Sequence, residues 1–288
     1  MFNTNDEKKK ERIEIFEDTI RLCKNDDILK EAINYSRKEQ FIVLDGPLLS
    51  EQSSVVHRYD KSAEILVTTR RTYEAASAYQ KTDRKVCVLN FANAFRPGGG
   101  VKEGCTAQEE CLCRCSTLYP CITERKTRQN YHERHKSLRL RGEYSNLAND
   151  DCIYTPQVVV MKTDTKEPKL MNLEEWYKTD VITCAAPDLR KPFKNLMNVK
   201  SVTPNDEELQ KIHEKRGKRI LEIAKRQKVD VLILGAFGCG VFGNRPDIVA
   251  CAYKQIIKDY RYDFDTIEFA IAGGGKNYDV FKMILENI

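Results

Sequence analysis

Two short apolar runs, each leading straight into a cluster of glycines, limit what this chain can become. Val86–Phe91 (VCVLNF) is followed by ANAFRPGGG, with Gly98, Gly99 and Gly100 adjacent, and Val231–Leu234 (VLIL) is followed by GAFGCGVFGNRP. Short apolar runs bounded by glycine read as strands buried on both faces. In both places a helical pattern resumes beyond the glycines, over Glu109–Leu118 and over about Asp247–Tyr260. Strand, glycine turn and helix in succession predict an α/β fold with a mixed, largely parallel sheet covered on both faces. In such sheets ligands gather at the carboxyl ends of the strands, which is where both glycine stretches fall.

The remaining elements fit that frame. Ile13, Phe16, Ile20 and Cys23 recur at spacings of three and four and predict one helix over Glu7–Ser36. Strands are expected at Ile65–Thr68, Val158–Met161, Val181–Cys184 and Ile267–Ile271, and a short helix at Arg71–Tyr79. Thr203 can cap a helix with Pro204 in its first turn, and Leu209, Ile212, Ile220 and Ile223 would form its buried side. Gly273–Gly275 precede a final helix, and residues 119–150 are polar and basic with weak periodicity. No linker or repeat interrupts the pattern. The expectation is one domain over 1–288, with 1–40 as a helical extension packed on it.

Composition narrows the partners. A net charge of +5 on 288 residues is too small for a generic polyanion binder, so nucleic acid is not expected as the main ligand. The basic residues cluster, however, between Ile122 and Arg141. That stretch reads either as a solvated face or as a landing surface for a phosphate-rich ligand. The charged opening MFNTNDEKKKERIEIFED lacks the apolar core of a signal peptide, and no apolar run approaches membrane-spanning length. Eleven cysteines, an odd number in a chain this long, are expected as reduced thiols in a cytoplasmic compartment. The basic segment leaves a nuclear location open.

Glycine lets successive backbone N–H groups converge on one anion with no Cβ in the way. Gly235–Gly243 suits a phosphate in this sense, although no Gly-Lys-Ser/Thr follows it and no acidic residue stands where a dinucleotide fold would need one. Read alone, its other reading is a tight turn that needs positive φ. Phe242, an aromatic inside that loop, suits packing on a sugar or base. Glu109 and Glu110, adjacent at a helix start, point about 100° apart. One can therefore reach a reacting bond while its neighbour holds a hydroxyl, which suits glycosidic chemistry. The plainer reading is that both acids favour the helix N-terminus.

Gly98-Gly99-Gly100, seven residues, then Gln108-Glu109-Glu110 resembles the signature of the microbial-type poly(ADP-ribose) glycohydrolases. Asn90-Phe-Ala-Asn93, Val181-Ile-Thr-Cys-Ala-Ala-Pro187 and Gly235-Ala-Phe-Gly-Cys-Gly-Val-Phe-Gly-Asn244 resemble the same family in the same order, over roughly residues 10–285. The resemblance implies a macrodomain-like three-layer α/β/α sandwich. It implies Glu110 as the catalytic acid, protonated when substrate arrives, with Glu109 on a ribose hydroxyl and Gln108 fixing the pair. It places Asn93 on a ribose, and Gly238, Cys239, Gly240, Val241, Phe242 and Gly243 on a diphosphate, with Phe242 against the distal ribose. Phe269 is a candidate for stacking on adenine, but it alternates along a strand with Ile267 and Ile271 and equally fits the core. Poly(ADP-ribose) or ADP-ribosylated protein would be the substrate and ADP-ribose the product, with no cofactor or metal. A hydrolase of single ADP-ribose groups and a non-catalytic ADP-ribose reader are the alternatives. Intact Gln-Glu-Glu argues against the reader.

Cys111, Cys113, Cys115 and Cys121, with His132 and His135, invite a zinc reading. Alternate residues on a helix lie about 200° apart, so the three clustered cysteines cannot all face one ion, and the usual C-x₂₋₄-C pairing is absent.

Overall fold

The computed structural model describes residues 4–47, 57–190 and 201–286. Its centre is a seven-stranded sheet. The chain enters through α1 (Thr4–Asn25) and α2 (Asp27–Glu39), then β1 (Phe41–Val43), β2 (Glu64–Thr68), α3 (Thr72–Ser77) and β3 (Val86–Phe91). The helices α4 (Gln108–Cys115), α5 (Leu118–Ile122), α6 (Arg125–Arg128) and α7 (Arg134–Leu140) precede β4 (Cys152–Val160) and β5 (Tyr177–Cys184). The last third runs α8 (Asp206–Arg226), β6 (Val231–Leu234), α9 (Pro246–Tyr260), β7 (Thr266–Ala270) and α10 (Lys276–Leu285). The strand order is β1-β4-β5-β3-β6-β7-β2. β5, β3, β6, β7 and β2 pair in parallel, while β1 and β4 join antiparallel.

Side-chain alternation along the strands sorts the layers. Cys87 and Leu89 of β3, with Leu232 and Leu234 of β6, face one core built with Ile220, Tyr253 and Phe281 of α8, α9 and α10. Val86, Val88, Val231 and Ile233 face the other, built with Phe16, Tyr73, Leu112 and Leu118 of α1, α3, α4 and α5. This is the expected three-layer sandwich. Among the described residues no helix is long and apolar enough to cross a membrane.

Several boundaries differ from expectation. The opening stripe is carried by two helices, because the Asp26 carboxylate caps a new N-terminus by accepting from Leu29 N–H at 3.0 Å. The helix expected from Thr203 begins at Asp206, capped by Asn205 in a reciprocal box with Glu208. The basic stretch is helical, broken into α6, a π-helical turn at Gln129–Glu133, and α7. Its pattern is blurred because Tyr131, His132 and His135 are buried in place of aliphatic residues.

α1 braces the neighbourhood of the glutamate pair. Thr19 Oγ1 donates to Arg114 O at 2.5 Å, and Arg12 Nε to Gly104 O at 2.6 Å. Gly104 has φ +68°, and a Cβ there would sit 2.6 Å from the Lys9 carbonyl oxygen. Gly104→Ala is therefore expected to cost about 1–3 kcal/mol. A thermal midpoint equal to that of the unaltered chain would show that α1 does not press on this turn.

Candidate active site

β3 and α4 place the acids. Gln108, first residue of α4, fastens the helix start to the strand: its Oε1 accepts from Phe91 N–H at 2.9 Å, and its Nε2 donates to Leu89 O at 2.7 Å and to Thr72 Oγ1 at 3.0 Å. Glu109 then holds the loop that follows β3. Its Oε2 accepts from Asn93 N–H at 2.8 Å, and its Oε1 from Gly98 N–H at 3.1 Å and Asn90 Nδ2 at 3.4 Å. Glu110 Oε1 accepts from Gly100 N–H at 2.8 Å. Its Oε2 is buried and bonded to nothing among the described residues. One oxygen is thus oriented by backbone and the other is left for chemistry.

The glycines are required by this approach. Gly98 and Gly99 have φ of +74° and +53°. A Cβ on Gly98 would meet the Tyr119 ring at 2.7 Å, and one on Gly99 would overlap Glu110 Oε1 and lie 3.1 Å from its Cδ. Asn93 Oδ1 accepts from Phe95 N–H and Arg96 N–H, each at 3.0 Å, which turns the chain into the glycines.

Burial pushes the Glu109 carboxyl up to about 8 from an ordinary 4.5, against the N–H groups of Asn93, Asn90 and Gly98 that favour its charged form, and with the nearby Glu110 charge adding to the rise. The unfolded chain releases this proton near 4.5 and the folded chain holds it to about 8. Stability from this group is thus whole below pH 4.5 and is lost as pH rises towards about 8. Thermal midpoints should decline across that window for the unaltered chain and decline less for Glu109→Gln. Identical pH profiles would remove Glu109 as the cause.

A cavity of about 310 Å³ opens beside the pair. Ala107, Gln108 and Cys111 form one wall, Gly238, Gly240, Val241 and Phe242 another, and Ile271, Ala272 and Asn277 a third. Glu109 and Glu110 themselves turn to the glycine loop. The amides of Gly238, Gly240, Val241 and Phe242 have no acceptor among the described residues, so the loop offers unspent donors to an anion. Val241 is exposed at the rim. The half-buried Cys239 turns its thiol to the Phe237 carbonyl. Phe242 lies beneath the Arg190 guanidinium at 5.1 Å. Gly243 closes the turn with φ +71°.

Phe269 is a correction to the sequence reading. Its ring is fully buried against Tyr253, at 5.3 Å between centroids, and Phe281, at 5.7 Å, so it belongs to the core. Ile271, Ala272 and Asn277, just past β7, line the cavity in its place. The clustered cysteines also separate. Cys111 Sγ faces the Thr106 carbonyl and Cys115 Sγ the Thr163 carbonyl, while Cys113 and Cys121 pack in two different apolar clusters.

Three supporting residues escaped the sequence reading. Asn90 is wholly buried between Glu109 and Thr183. Asn244 Nδ2 donates to Pro187 O at 2.7 Å and Gly238 O at 3.0 Å, clasping the anion loop shut. Its Oδ1 accepts from His213 Nε2 at 2.9 Å. Burial holds His213 down to about 4, so this histidine is a neutral donor. Asn90 and Asn244 stand within the motifs quoted above. His213 sits mid-helix with no signal beyond interrupting a polar stretch.

Residues 6–163 match the family model described as microbial-type PARG, catalytic domain. The chain belongs to this family. Among solved structures, the poly(ADP-ribose) glycohydrolase (PARG) of Thermomonospora curvata is 24% identical over 95% of this chain and 99% of its own, with a TM-score of 0.77. The same enzyme bound to the inhibitor ADP-HPD is 26% identical over 94% of this chain and 98% of its own, with a TM-score of 0.76. A variant of the Deinococcus radiodurans PARG in complex with ADP-ribose is 26% identical over 88% of this chain and 97% of its own, with a TM-score of 0.70. Comparison with curated proteins finds no match. The PARG likeness thus covers both glycine loops and the strand ends that carry them.

Proposed function

We propose that the chain hydrolyses the ribose–ribose O-glycosidic bonds of poly(ADP-ribose), releasing ADP-ribose, with Glu110 as general acid and then general base. The observation that carries this reading is the buried Glu110 carboxylate, tied by one oxygen to Gly100 N–H and unbonded at the other.

The diphosphate binds the unspent amides of Gly238, Gly240, Val241 and Phe242, and Phe242 packs on the distal ribose. Binding energy collected there fixes the anomeric carbon at Glu110 Oε2. Glu110 gives its proton to the departing ribose oxygen as positive charge builds on the sugar carbon, then takes one from the attacking water. Glu109 keeps the loop in place, and a lone pair of its Oε2 remains for a ribose hydroxyl. Asn93, whose Nδ2 has no acceptor among the described residues, is the second ribose contact. Incubation with labelled poly(ADP-ribose) is expected to yield free ADP-ribose. Release from mono-ADP-ribosylated protein alone, with polymer untouched, would overturn the polymer assignment.

A further inference from the structure

The chemistry above leaves the basic middle segment unused. The structure sets it against the N-terminal hairpin, and two cavities meet there over one ring. The first, about 630 Å³, is walled by Gly99 and Phe95 together with Arg96, Lys102, Arg128 and Lys136. The second, about 530 Å³, lies among α1, α2 and α5 and carries Lys24, Lys30 and Arg37. Tyr119 and Thr123 line both, so the two form one groove. Seven cations face it and a single carboxylate, Glu133. Four of the cations are partly spent: Lys30 on Asp27, Lys136 on Glu133, Arg96 on Glu103, and Arg37 on the Pro120 carbonyl. Lys24, Lys102 and Arg128 have no carboxylate partner among the described residues, and Lys102 Nζ stands 5.9 Å from the centroid of Tyr119.

A solvated helix face normally interleaves both signs on a convex surface. This surface is concave, nearly one sign, and set with two rings. That combination of cations following a backbone and aromatics receiving bases is how single-stranded polyanions are held. Its position is equally specific. Gly99 packs against the Glu110 carboxylate and also walls the groove. The anion-loop cavity reaches the acid's neighbours Gln108 and Cys111, the groove reaches Gly99, and the two have no lining residue in common.

We propose that this groove holds the part of the poly(ADP-ribose) chain that lies beyond the scissile bond. The proposal rests on the functional reading above. The unit being released occupies the anion loop. The next unit begins at the oxygen Glu110 protonates, and carries an adenosine and then a diphosphate past Gly99 towards Lys102, Arg128 and Lys24. The N-terminal hairpin thus extends the substrate site.

The test compares the unaltered chain with Lys24→Gln/Arg128→Gln, two exposed positions away from the acids, on long polymer and on the two-unit chain, each across a salt series. For long polymer the variant should show a higher KM, and the slope of log affinity against log salt should fall by about 1.4, at about 0.7 per lost phosphate contact. The two-unit chain, whose second unit carries one diphosphate into the groove, should show a smaller rise in KM, and kcat should be unchanged on both lengths. Equal KM and equal slope on long polymer would overturn the groove assignment while leaving the functional reading intact. So would single-stranded RNA that displaces long polymer more effectively than polymer displaces itself, which would give the groove to nucleic acid. An unaltered chain that releases ADP-ribose from neither length overturns both.

Discussion

Glu110→Gln is expected to slow polymer hydrolysis by roughly 10²–10⁴-fold while ADP-ribose binds nearly as before. Glutamine has the shape of glutamate and keeps an oxygen to accept from Gly100 N–H, the 2.8 Å bond that orients this side chain. It can neither lend a proton to a leaving oxygen nor recover one from water. The loop of residues 238–243, the proposed source of affinity, is untouched. The loss should therefore fall on kcat, and ADP-ribose titration should return a dissociation constant close to that of the unaltered chain. A variant with full turnover would remove Glu110 as the proton carrier. One that also fails to bind would recast it as a binding group.

Gly99→Ala should be comparably damaging by a different route. At φ +53° an alanine is strained by about 1–2 kcal/mol. Its methyl group would also overlap Glu110 Oε1 and lie 3.3 Å from Glu109 Oε2, so both acids must shift. Displacement of a catalytic group by about 1 Å can cost about 10² in rate. Gly46→Ala is the matched control, since Gly46 lies outside the site, has no positive φ, and a Cβ there meets nothing within 4 Å. Its stability should stay within about 0.5 kcal/mol of the parent. Equal activity in the two alanine variants would show that the glycines near Glu110 are not there to admit it.

The layers of the fold were legible because β3 and β6 are short, apolar and end in glycine, so periodicity and punctuation agree. The acids were legible because their spacing from the glycines resembles a family signature, and the structure supplies the reason for that spacing: Gly99 lies against Glu110. What escaped is what depends on distant chain. Asn90 and His213 are polar residues whose value comes from partners 19 and 31 positions away. Phe269 shows the converse, since a buried aromatic on a strand looks the same whether it meets adenine or, as here, Tyr253 and Phe281. The helices of 125–140 were hidden because their inward residues are Tyr131, His132 and His135, which a hydrophobic pattern does not count.

A crystal structure of the chain with ADP-ribose bears most directly on the proposed mechanism. It should show the diphosphate on the amides of residues 238–242 and the distal ribose with its anomeric oxygen in hydrogen-bond reach of Glu110 Oε2. A nucleotide bound with its ribose away from Glu110, or a Glu110 carboxylate turned out to solvent in the complex, would contradict it.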